Sequence, residues 1–163
     1  MDTKNKIMKL AKVCYVIAKV LYIIAFVVCL AFIALAIALP LTNAISSLTT
    51  AETAIVFATL ALYAFVCIGL LWNVEGLFKS IAKGQSPFNQ AVNHYLKKIA
   101  VFVLIMAIVP ALLGTALLRI IEPATEIVFP VSVSGIISGI VLFVIGVCFQ
   151  YGIELQKKDD ETL

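Results

Sequence analysis

The chain has 163 residues, of which 63% are apolar and only 13% charged, with a net charge of +3. A soluble domain of this size carries about 25% charged residues and could not bury so much apolar surface, so an ordinary globular domain is excluded. The small positive charge is no sign of direct nucleic-acid binding, and the four cysteines contain no Cys-x-x-Cys pair, which argues against a zinc site or a disulfide framework.

The apolar residues are blocked into four stretches, 20–39, 54–74, 99–118 and 131–149. Each is close to the roughly 20 residues a helix needs to cross the hydrocarbon core. In lipid the backbone must satisfy its own hydrogen bonds, so each stretch is expected to be helical. The expected fold is all-α, a single membrane domain forming a four-transmembrane-helix bundle, with spans at about 13–40, 54–74, 99–119 and 131–149. Eleven of the twelve basic side chains precede or open span one, lie between spans two and three, or follow span four, and Arg119 stands alone on the other side. Under the positive-inside rule both termini are cytoplasmic, as expected of a multi-pass protein of the cytoplasmic membrane. The same lysines attract anionic membrane lipid.

The first element begins before its span. Ile7, Leu10, Cys14 and Ile17 form a stripe at helical spacing beside Lys6, Lys9 and Lys12. Lys19 can snorkel to the headgroups, and Pro40 is expected to end the span. Ala36-Ile37-Ala38 resembles a signal-peptide cleavage site, but the apolar run before it is longer than the usual 7–15 residues or so, so it is read as a span. Cys14, Cys29, Cys67 and Cys148 lie in or beside spans and read as small packing residues.

Thr49 and Glu52 have the spacing of a capping box at the start of the second helix. Beyond its span, Val74, Leu77, Phe78, Ile81 and Ala82 share one face, opposite Glu75, Lys79 and Lys83. Gly84 is the expected stop. Ser86-Pro87 then reads as an N-cap followed by proline at the first helical position. Phe88, Val92, Tyr95, Leu96 and Ile99 make a second stripe leading into span three, so 75–98 reads as a cytoplasmic amphipathic turn.

Pro110 removes one backbone hydrogen bond from span three, and Arg119 closes it. Span four carries Gly135-x-x-x-Gly139, overlapped by Ser134-x-x-x-Ser138, with Gly146 seven residues on. Such spacing lets helix backbones approach closely, either within the bundle or in a homodimer. Trp72-Asn73-Val74-Glu75-Gly76 and Phe149-Gln150-Tyr151-Gly152-Ile153-Glu154 share an aromatic–amide pair, a Gly and a Glu, a faint internal repeat. Each Glu has a lysine four residues later, Lys79 and Lys158.

No phosphate-binding loop, Gly-x-Gly-x-x-Gly or His-Glu-x-x-His occurs, and no Asp lies in a span. The single histidine, His94, sits on the polar side of the lead-in to span three. An enzyme is not expected, nor a cofactor or metal. The specific polar side chains of the inner turn and the acidic tail, within 150–163, mark the cytoplasmic face as the candidate partner-binding surface. Its candidate residues are Lys79, Lys83, Phe88, Asn89, Asn93 and His94, with Asp159, Asp160 and Glu161.

Phe149-Gln150-Tyr151-Gly152-Ile153-Glu154-Leu155-Gln156 with the end Asp159-Asp160-Glu161-Thr162-Leu163 resembles the closing motif of the domain-of-unknown-function family 2975. So does Leu77-Phe78-x-x-Ile81-x-x-Gly84-x-x-x-Phe88, followed by Asn93, Leu96 and Ile99. Lys157-Lys158 departs from the pattern, standing where many members have an acidic residue. The resemblance implies a small prokaryotic membrane protein, often encoded beside a very small helix-turn-helix regulator, with no catalytic residues to carry over. A regulatory or interaction protein engaging such a DNA-binding regulator is the expected function. The alternative is a small transporter-like or immunity membrane protein.

Overall fold

With no water to serve its backbone, each apolar block closes into one uninterrupted helix. The computed structural model describes residues 3–42, 49–84 and 89–161. Within them the chain forms α1 (Thr3–Thr42), α2 (Thr50–Ala82), α3 (Gln90–Ile121) and α4 (Val133–Glu161), with no strand. All four are long and apolar enough to cross a membrane, as the composition requires. Their lengths of 40, 33, 32 and 29 residues exceed the roughly 20 that the hydrocarbon core takes, so each helix continues past it.

The helix ends follow local chemistry. At the start of α2, Thr49 and Glu52 form the capping box: the Glu52 amide donates to Thr49 Oγ1 at 3.2 Å and the Thr49 amide to Glu52 Oε2 at 2.9 Å. Past its end, Gly84 takes φ +81°, a conformation that favours glycine, and its amide reaches back to the Ile81 carbonyl. Two sequence expectations shift. Pro40 lies inside α1, which runs two residues further, because proline's missing N–H and ring act on the turn before it. α3 starts at Gln90, with Asn89 as its N-cap, whereas Ser86-Pro87 was the expected start. The Asn89 side chain accepts from the second amide on, Ala91 N, at 2.9 Å. Ser86, Pro87 and Phe88 lie outside the described residues.

Among the described residues the helices pack in chain order, α1 on α2, α2 on α3 and α3 on α4, and no other pair meets. Small side chains make many of the contacts, beside larger buried ones such as Leu118, Val92, Val66 and Ile55. Ala11, Ala18 and Cys29 are the buried positions of α1, and Ala100, Ala107, Ala111 and Gly114 line the buried side of α3. The neighbours run antiparallel. Tyr22 stacks near Trp72 (5.7 Å between ring centroids) and Phe32 near Phe57 (6.4 Å). Across α2 and α3, the rings of Phe102 and Tyr95 lie where Gly69 and Gly76 would carry a Cβ. On α4, Gly135 faces Ala107, Gly139 faces Leu104, and Gly146 faces Lys97 and Asn93.

The far end of the row, opposite the chain termini, is tied by polar side chains. Thr49 Oγ1 donates to Glu122 Oε1 at 3.2 Å, and the Phe129 amide donates to Thr115 Oγ1 at 3.0 Å. The Ser132 amide donates to the Ala107 carbonyl at 3.1 Å, in the turn of α3 that precedes Pro110. These contacts pin the 122–132 segment over α2 and α3.

Candidate functional site

Three helices bring polar side chains together at the terminal end. α2 supplies Trp72, Asn73, Glu75 and Lys79, α3 supplies Asn89 to Lys98, and α4 supplies Gln150 to Glu154. Asn73 is buried, but its amide donates to the Gly69 carbonyl one turn back at 2.7 Å, so it is satisfied by its own helix.

Asn93 is different. It is 6% exposed, and its Oδ1 has no hydrogen-bond partner. It sits against α4 where Gly146 removes the side chain that would crowd it; a Cβ there would stand 3.5 Å from Oδ1. One turn on, Lys97 Nζ donates to Gln150 Oε1, and Gln150 Nε2 donates to Glu154 Oε1 at 3.0 Å. These groups, with Gln90 and His94, line a cleft of about 230 Å³ between the start of α3 and the end of α4. It holds both hydrogen-bond donors and acceptors, and it is suited to recognising a polar group.

A second cleft opens on the other side of α3. It has about 630 Å³ and runs between α2 and α3 from Lys98 and Tyr95 to Trp72 and Phe102. His94 and Lys97 line both clefts. Among the described residues no group of three His, Cys, Asp or Glu side chains could hold a metal ion.

The candidate residues named from sequence separate into groups. Asn93 and His94 line the clefts, with His94 exposed and its ring 6.3 Å from that of Tyr95 in an edge-on pairing. Lys79 lines a smaller cleft with Glu75, Gly76, Trp72 and Tyr95. Lys83 is exposed at the C-cap of α2. Asn89 serves as the helix cap described above. Phe88 is outside the described residues. Asp159, Asp160 and Glu161 belong to the last turn of α4, and their side chains are outside the description. Gly135, Gly139 and Gly146 all face α3, while Ser134 and Ser138 stay exposed beside them.

Lys97, Gln150, Glu154, Trp72 and Tyr95 complete the site, and no local motif marks them as part of it. The aromatic–amide repeat held part of the signal, since it contains Trp72, Asn73, Gln150 and Glu154. A family model described as "Protein of unknown function (DUF2975)" matches residues 43–163. No curated protein and no solved structure matches the chain.

Proposed function

The chain belongs to the DUF2975 family of proteins of unknown function, and on that footing we propose that it is a membrane-held interaction protein of the cytoplasmic membrane, non-catalytic, with both termini cytoplasmic. Its partner docks at the terminal end, in the cleft between α3 and α4. The observation that carries this reading is the polar lining of that cleft, where Asn93, His94, Lys97, Gln150 and Glu154 converge from two helices. A partner that meets these donors and acceptors with complementary groups gains hydrogen bonds worth about 0.5–1.5 kcal/mol each.

The lysine asymmetry supports the orientation. The family resemblance and charge support the kind of partner, a small helix-turn-helix regulator. Such a protein carries a basic DNA-binding surface, and Asp159, Asp160 and Glu161 close the helix that forms one wall of the cleft. Held at the membrane, the regulator is kept from its DNA. The polar groups within the spans favour this reading over transport. Thr59 Oγ1 is spent on the Ile55 carbonyl at 2.8 Å, and Thr115 Oγ1 on the Phe129 amide.

The test is co-expression with a small helix-turn-helix regulator encoded beside a DUF2975 gene and measurement of the share that sediments with membranes. The wild-type chain should hold the regulator, and Asn93→Leu or Asp159/Asp160/Glu161→Ala should release it while accumulating normally. A regulator that stays soluble beside the wild-type chain, or stays bound to both variants, rules the reading out.

A further inference from the structure

We propose that the groove between α2 and α3 around Trp72 binds an anionic phospholipid, its phosphate at Lys98 and one acyl chain lying inward past Trp72 over Phe102 and Gly69. The groove consists of two adjoining clefts that share Trp72 and Phe102. The one toward the terminal end carries Lys97, Lys98, His94 and Tyr95, with no acidic side chain on its walls. The one further in, of about 340 Å³, is walled by Tyr22, Phe65, Ile68 and Phe102 over Gly69. Both volumes fall in the range of about 300–1,000 Å³ typical of small-molecule sites.

Polarity changes along the groove in the same order as along a phospholipid. Lys98 and Phe102 are one turn apart on α3, about 6 Å. From Trp72 to Phe65 the wall runs two turns into the second span, about 10 Å. A free phosphate would use only the lysine end, whereas the apolar continuation requires hydrocarbon. The shape is built by glycine: Gly69 and Gly76, seven residues apart, admit the rings of Phe102 and Tyr95, also seven apart, against the α2 backbone. Trp72 is 61% exposed on this wall although its ring lies against Tyr22. Glu75 lies in the neighbouring cleft together with Lys79. A second copy of the chain is a poor occupant, because a two-fold contact would bring lysines against lysines.

Trp72 is the single tryptophan of the chain, so its fluorescence reports on this groove alone. The full chain is reconstituted in phosphatidylcholine vesicles in which a fixed fraction of lipid is replaced by dibrominated phosphatidylglycerol or dibrominated phosphatidylcholine, whose bromines quench a tryptophan they touch. The expected result is preferential quenching by the phosphatidylglycerol, with a selectivity of about fivefold or more. Lys98→Gln should abolish most of that preference, Lys98→Arg should restore it, and Lys79→Gln should leave it unchanged. Equal quenching by the two lipids would mean ordinary boundary lipid and would overturn the proposal. So would quenching by neither, which would place protein over the groove, or an equal loss in Lys79→Gln and Lys98→Gln, which would make the effect diffuse surface charge.

Discussion

Asn93 Oδ1 lies 3.5 Å from the point where a Cβ on Gly146 would stand, and it is the one buried side-chain polar atom without a partner among the described residues. The glycine lets α4 close over the amide, and nothing on α4 donates to it. A polar group in this position costs stability in the isolated chain. Asn93→Leu, of similar size and without the orphaned acceptor, should therefore raise the thermal midpoint in detergent, corresponding to about 1 kcal/mol or more. A midpoint that falls instead would mean that the amide is satisfied in solution.

The contact between α3 and α4 depends on close approach. A Cβ on Gly139 would stand 2.6 Å from Leu104 Cγ and 3.3 Å from the Ala100 carbonyl, and one on Gly135 would stand 2.9 Å from Ala107 Cβ. Gly139→Ile should force the helices apart at a cost of about 1–3 kcal/mol, the usual range for overpacking. Ser138→Ala, on the exposed side, should be neutral. Thermal unfolding in detergent compares the two, and an unchanged Gly139→Ile would show that α4 does not rest on α3 through this face.

At the far end one hydroxyl has two tasks. Thr49 Oγ1 accepts from the Glu52 amide as the cap of α2 and donates to Glu122 in the segment after α3. Thr49→Ala removes both and should cost about 1 kcal/mol for the cap, plus the tie to Glu122. Glu122→Gln keeps an acceptor oxygen and should cost less. Hydrogen exchange at the Glu52 and Thr53 amides should speed up in the first variant and not in the second.

What could be read from sequence was set by neighbours in the chain. The capping box spans Thr49 to Glu52, and the stop at Gly84 follows from a left-handed backbone that glycine tolerates best. The four spans follow from hydrophobic length alone. The pairing of Lys97 with Gln150 could not be read this way, because it joins residues 53 apart and depends on the register of α4 against α3. That register is set by glycines whose spacing marks a packing face without naming the helix it meets. Ser86-Pro87 and Asn89 both carry helix-start signals, and local pattern does not rank them.

Orientation is the remaining property that a simple measurement decides. The helix row places Lys83 and His94 at the terminal end and Glu126 at the far end, all three exposed. The lysine bias predicts that the terminal end faces the cytoplasm, since basic segments resist translocation. The measurement needs a cysteine-free background, with Cys14, Cys29, Cys67 and Cys148 replaced. Cys29→Ala suits the buried position, where the thiol makes only a 3.6 Å contact to the Ala61 carbonyl. Lys83→Cys, His94→Cys and Glu126→Cys are then introduced singly. An impermeant maleimide applied to intact cells should label Glu126→Cys and spare the other two until the membrane is permeabilised. Labelling of Lys83→Cys and His94→Cys from outside, with Glu126→Cys protected, would invert the orientation and put the partner cleft on the wrong side for any DNA-binding protein. Labelling of all three from outside would contradict the four-span topology itself.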